Sequence, residues 1–242
     1  MQQCKLCHSD AILRKSHIVP EFAYNPVYDS NHRASTLEPQ KPRRGYRQNG
    51  FWDRLLCDTC EGRLSQLESY FADVWFNRPL RPNRLVGQVA TMSGLDYSRF
   101  KLFHLSILWR AGMSNLDVFQ PVSLGQHAED MRQRILALDP GPSDHYPITG
   151  FALRNTDGGF KDDLMLLPNG IEVSEYHVYF MIFGGVLWIC AVSSHHRDCP
   201  ITSDLKGDGT LQLHIQDCTE NLLIQDLLKQ MRKHFKDRLN VV

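Results

Sequence analysis

The stretch LLCDTCEGRLSQLESYFADVWF, Leu55 to Phe76, decides the fold of the first part of this chain. It opens with a C-x-x-C pair, Cys57 and Cys60, and runs straight into apolar residues at helical spacing: Leu64, Leu67, Phe71, Val74 and Trp75. Two residues between cysteines let both thiolates meet one ion from a tight turn. A second pair lies upstream, Cys4-x-x-Cys7, with 49 residues between the two. Together they supply the four sulfurs of a tetrahedral structural zinc, whereas a redox C-x-x-C would need no second pair. His8 follows Cys7 and competes as a ligand, but the second pair already completes the set. The plain alternative is four unrelated buried cysteines, since cysteine prefers the interior.

Working outward, the first pair precedes a short strand, AILRKSHIV, that carries His17. The order is knuckle, strand, variable loop, knuckle, helix: a treble-clef, ββα-metal-like module in which zinc pins the helix start against a hairpin. The bulk composition fits a globular chain. Its 242 residues make one large or two small domains, and 42% hydrophobic with 22% charged residues is ordinary. Net charge is zero, so only local patches speak to a polyanion. No apolar run reaches the length of a membrane span, and MQQCKLCHSD has no apolar core for a signal peptide. The expected setting is cytoplasmic, without a membrane partner, where the seven cysteines stay reduced.

The pieces CKLC, SHIVP and RLLCDTCE, in this order, resemble the HNH endonuclease family over about residues 4 to 70. The resemblance implies a nuclease in which a histidine activates water to attack a phosphodiester. A divalent ion, Mg2+ or Mn2+, distinct from the zinc, stabilises the developing charge. Carried over residue by residue, His17 becomes the general base, and an imidazole suits that role near neutral pH. The acidic residue that precedes the histidine in the family is Ser16 here, a poor ligand for a hard cation. Glu61 stands at the last histidine of the pattern, and Asp53 lies nearest the asparagine position. The implied catalytic set is His17, Asp53 and Glu61, with Asp53 and Glu61 as ligands of the divalent ion. Each has a plainer reading. His17 bonds a loop carbonyl, Asp53 pairs with Arg54 or Arg63, and Glu61 faces the positive end of its helix.

Nucleic acid, DNA before RNA, is the expected partner. The segment KPRRGYRQNGFWDR interleaves Lys41, Arg43, Arg44, Arg47 and Arg54 with Tyr46, Phe51 and Trp52, and Lys15 sits beside His17. Cations neutralise phosphates and aromatic faces stack on bases. Arg78, Arg81 and Arg84 add a second run. A solvated loop is the competing reading of both.

Residues 1–88 read as the zinc module and 89–242 as an α+β domain with an antiparallel sheet. SRFKLFHLSILWRAGMS is apolar nearly all round, a central helix in which His104 is a core residue rather than a ligand. A second helix follows at LGQHAEDMRQRILALD. YPITGFALR, DDLMLLP, YHVYFMIF, VLWICAVS and TLQLHIQD read as strands, with turns at PNG, FGG and KGDG. TENLLIQDLLKQMRKHFKDRL reads as a closing amphipathic helix, and SSHHRDC as a hairpin exit rather than a metal site. This domain is expected to regulate or to bind a partner protein. The layout also looks like that of bacterial proteins with an HNH-like head found near defence genes, which implies a role in bacterial or phage defence. Two functions follow: an HNH-like metal-dependent endonuclease hydrolysing nucleic-acid phosphodiesters, or a non-catalytic zinc module that binds nucleic acid or a partner protein.

Overall fold

A computed structural model describes residues 1–36, 45–77, 86–155, 158–173, 176–193, 202–218 and 225. The expected closing helix apart from Gln225, the SSHHRDC turn after its first serine, and Lys41, Arg43, Arg44, Arg78, Arg81 and Arg84 lie outside them.

The first knuckle is framed by a short ribbon, β1 (Gln2–Gln3) with β2 (Asp10–Ala11). β3 (Leu13–His17) leads into Ile18, Val19 and Pro20, all buried, and then into a 3-10 turn, Glu21–Val27. A ribbon of β4 (Ala34–Thr36) and β5 (Gly45–Arg47) precedes β6 (Trp52–Cys57), which pairs antiparallel with β3. β6 runs without a break into α1 (Asp58–Ala72). This helix buries Cys60, Leu64, Leu67 and Phe71, a stripe at the spacing expected of one helix face. A π-helical turn, Asp73–Asn77, carries it on to Trp75, whose Nε1 donates to the Gly184 carbonyl at 2.9 Å.

After β7 (Val89–Met92) comes α2 (Tyr97–Met113), N-capped by Asp96, which accepts from the Arg99 amide. Every residue from Phe100 to Ala111 is buried, so α2 is the central helix the sequence indicates. α3 (His127–Ala137) packs beside it. The strands β8 (Ile148–Arg154), β9 (Leu166–Val173), β10 (Tyr176–Phe183), β11 (Val186–Val192) and β12 (Leu211–Asp217) join β7 in one sheet, ordered β7-β12-β8-β11-β10-β9. The β10–β11 turn is Gly184-Gly185 with φ of 60° and 71°, the left-handed pair a two-residue hairpin needs. The molecule is α+β and its sheet is mainly antiparallel. One pairing differs from expectation: β12 lies parallel to β8, because the chain leaves β11 and enters on the far side of β8. β7 is the one strand of this sheet that the sequence reading does not contain, and the expected turn at PNG is instead strand: β9 starts at Leu166 and runs through Pro168, Asn169 and Gly170, with Gly170 paired to Tyr179.

The apolar core is continuous across residue 88. A single cluster of buried side chains runs from Cys4 to Ile215. Phe71 of α1 lies at its centre, with its ring centroid 4.1 Å from Phe103 of α2, 5.6 Å from Phe183 of β10 and 6.4 Å from Trp188 of β11.

His104 is a core histidine. Its Nδ1 lies 2.9 Å from the Phe100 carbonyl, its Nε2 has no hydrogen-bond partner, and its ring stands 4.5 Å from Trp188. Burial pushes its pKa down to about 4. The unfolded chain therefore binds the extra proton first. The stability tied to a neutral His104 is present above about pH 6.5 and is lost as pH falls toward 4, by roughly 3 kcal/mol. Urea midpoints at pH 7 and 4.5 should differ less in His104→Leu than in the wild type.

Candidate metal centre and the strand face beside it

Cys4, Cys7, Cys57 and Cys60 come together as one group, with all four sulfurs within 4.8 Å of one another. Cys7 Sγ and Cys57 Sγ are 3.8 Å apart. A tetrahedron of zinc–sulfur bonds of ~2.3 Å has edges of about 3.8 Å, so the cluster has the size of a zinc site. The turns that aim the sulfurs are local. The His8 amide donates to the Cys4 carbonyl at 2.9 Å, and His8 itself turns the chain with a φ of 62°. The Cys57 amide donates to Cys4 Sγ at 3.3 Å, which ties the second knuckle to the first. His8 is not among the clustered ligands.

The thiols are unequal. The Ser9 hydroxyl and backbone hold Cys7 down to about 6, while burial pushes Cys57 and Cys60 up. Four thiols this close cannot all ionise without a cation, which a zinc ion would supply. A cleft of ≈ 580 Å³ lined in part by Cys7, Ser9, Ile12 and Arg63 gives an ion a way in.

Neighbouring residues of a strand face opposite sides, so Ser16 and His17 look in opposite directions. Ser16 faces inward and is fully buried, and its hydroxyl donates to the Glu61 carboxylate in the first turn of α1. Burial raises the Glu61 pKa, against the Ser16 hydrogen bond and the charge of Arg110, which lower it. Arg110 of α2 reaches into the same junction. Its Nη1 lies 2.6 Å from the His17 carbonyl and 2.7 Å from Glu68 Oε1, and its Nε donates to the Ser106 carbonyl at 3.2 Å.

Lys15 and His17 face outward, opposite Arg54 and Trp52 of β6. The Lys15 ammonium stands 4.5 Å from the centre of the Trp52 ring, which is exposed. His17 Nε2 is 3.3 Å from Glu21 Oε2, with both side chains about one-third exposed, 34% and 36%. Glu21 is fixed in turn: Tyr28 Oη donates to its Oε1 at 2.5 Å and the Gly50 amide to its Oε2 at 3.1 Å. Gly50 is required there, because a Cβ would stand 2.6 Å from the Tyr24 ring. Glu21 is a functional candidate the sequence reading missed; its spacing of four from His17, across Pro20, was the available signal.

Asp53 is engaged elsewhere. One carboxylate oxygen accepts from the Arg54 amide at 2.7 Å; the other accepts from Ser114 Oγ at 3.2 Å and the Asn115 amide at 3.0 Å, just past the end of α2. Arg54 is exposed and its Nη1 donates to the Leu13 carbonyl at 2.9 Å. Arg47 lies on β5, and its side chain lies outside the description.

The implied set of His17, Asp53 and Glu61 is thus divided over two faces and a helix end. Among the described residues, the cysteines are the one group with three or more candidate ligand atoms close together. The donor chemistry does not fit a second, hard cation either. Ser16 spends its hydroxyl on Glu61, and a guanidinium rather than a third oxygen stands in the junction. The expected Mg2+ or Mn2+ site at Asp53 and Glu61 finds no support.

Among the described residues, no helix is long and apolar enough to cross a membrane. No protein-family model, curated protein or solved structure matches this chain.

Proposed function

We propose that this chain is a nucleic-acid-binding zinc protein with a treble-clef head, in which one zinc on Cys4, Cys7, Cys57 and Cys60 holds the β3–β6 ribbon on α1. The observation that carries the reading is the outward face of that ribbon. Lys15, Arg54 and Trp52 stand side by side on it, and the Lys15 ammonium lies on the indole. Cations there neutralise phosphates, and the exposed indole stacks on an unpaired base. Single-stranded DNA is the expected first ligand. Trp52→Ala should weaken binding by roughly 1–3 kcal/mol. Arg54→Ala should weaken binding to all sequences alike and lower the salt slope by about 1. Fluorescence anisotropy across a salt series measures both, and wild-type affinity in both variants would sink the reading.

His17 favours a second reading, an HNH-like endonuclease acting in bacterial or phage defence. An outward imidazole braced by a fixed carboxylate is the arrangement of a general base with its orienting partner. In that reading Glu21 is a positioning residue and Asp53 and Glu61 are structural. Oligonucleotide cleavage that is lost in His17→Ala, and whose pH profile moves in Glu21→Gln, would establish it. Cleavage that survives His17→Ala would remove it.

A further inference from the structure

We infer that His17 is the general base of a metal-independent ribonuclease site on the outward face of the β3–β6 ribbon, cutting single-stranded RNA by attack of the RNA's own 2′-hydroxyl. The inference rests on the nucleic-acid reading above and names the substrate class that the face serves. The strand register sets the parts side by side. His17 lies directly opposite Trp52, and Lys15 directly opposite Arg54. Opposed residues on one face of an antiparallel pair have Cβ atoms about 4.5–5.5 Å apart. A base stacked on the exposed indole therefore brings its ribose beside the imidazole. The Lys15 ammonium, 4.5 Å from the indole centre, then passes to the adjoining phosphate.

His17 is held from both sides. From behind, the buried Arg110 donates to its backbone carbonyl at 2.6 Å. In front, its Nε2 faces Glu21 Oε2 at 3.3 Å, and that carboxylate is fixed by Tyr28 Oη and the Gly50 amide. A carboxylate at one ring nitrogen keeps the proton there and leaves the lone pair on the other, Nδ1, to accept a proton. The imidazole is about one-third exposed, so a substrate reaches it. Among the described residues, no third histidine, cysteine or carboxylate joins His17 and Glu21 in a group that could hold a metal ion. RNA carries its own nucleophile, so the chemistry asks for no metal-bound water. Nδ1 takes the 2′-hydroxyl proton as the 2′-oxygen bonds to phosphorus. The bond from phosphorus to the 5′-oxygen breaks, and that oxygen takes a proton from the Lys15 ammonium. The imidazolium then returns its proton to the Lys15 amine through water. Lys15 and Arg54 stand beside the charge that gathers on the phosphate oxygens. The products are a 2′,3′-cyclic phosphate and a 5′-hydroxyl. DNA, without the 2′-hydroxyl, is bound and left whole.

The test uses the full, zinc-loaded chain without added Mg2+ or Mn2+, on a single-stranded RNA, the same strand fully 2′-O-methylated, and the same sequence as DNA. Mass spectrometry should find the RNA cut into fragments with 2′,3′-cyclic phosphate and 5′-hydroxyl ends, and the other two strands intact. His17→Ala should slow the cutting by about 10²–10⁴-fold. Intact RNA, 5′-phosphate ends, cutting of the DNA, or cutting that survives His17→Ala would each overturn the inference. The comparison of the three strands needs no variant, so it decides even if His17→Ala does not fold. Fluorescence anisotropy of the 2′-O-methylated strand and the DNA separates the two readings. Binding without cutting of the RNA rejects the ribonuclease alone, and no binding of either strand rejects the nucleic-acid reading with it.

Discussion

With the proposed zinc on the four cysteines, Cys57→Ser should lower the stability of the whole chain by several kcal/mol, and chelation should do the same to the wild type. Structural zinc in small modules contributes apparent free energies of ~10–16 kcal/mol near pH 7, as large as the total stability of an ordinary domain, about 5–15 kcal/mol. Serine leaves three thiolates, so the loss is a fraction of the first figure. It should not stay in the head. Cys57 and Cys60 begin the helix whose Phe71 and Trp75 sit in the common core. Three arginines fasten head and body together. Arg132 of α3 donates to the Leu6 carbonyl between the first two cysteines at 2.5 Å, Arg63 of α1 donates to the Leu136 carbonyl, and Arg110 donates to the His17 carbonyl. A chelator-induced change should therefore appear together in far-ultraviolet circular dichroism and in tryptophan fluorescence. A sheet that melts unchanged after metal removal would refute this coupling.

Phe71→Ala should be the most damaging single core substitution outside the cysteines, by about 3–5 kcal/mol. Phe71 is wholly buried, stacked on Phe103 and edge-on to Phe183 and Trp188. Its removal opens a hole shared by α1, α2 and the sheet, with rigid aromatic walls that collapse poorly. Phe71→Leu should cost clearly less, because it leaves more of the volume filled. Denaturant unfolding of the two variants gives the comparison. Equal and small losses would mean that the helix of the cysteine-bearing head can leave the body without disturbing it.

The parts of this fold that were legible in the sequence are those governed by local geometry. Ligand spacing within each C-x-x-C is set by bond lengths, so the cysteine cluster could be read directly. The Gly-Gly turn of β10–β11 and the all-round apolar α2 declare themselves in the same way. β7 is short and β12 lies parallel to a strand far away in sequence; neither follows from a local pattern. The division of the head into an inward and an outward face was readable in principle, because strand residues alternate. Grouping His17 with Asp53 and Glu61 overlooked that alternation, which turns His17 outward to Glu21 while Ser16 meets Glu61. Arg110 was out of reach, since a lone basic residue at the end of an apolar helix gives no hint of what it will meet 93 residues back in the chain.

The most direct test of the proposed role is a hydrogen-exchange footprint of the zinc-loaded chain, with and without a short single-stranded DNA. Bound DNA should slow exchange across Leu13–His17 and Trp52–Cys57 and leave the six-stranded sheet unchanged. Protection confined to the sheet, with the β3–β6 ribbon unaffected, would contradict it.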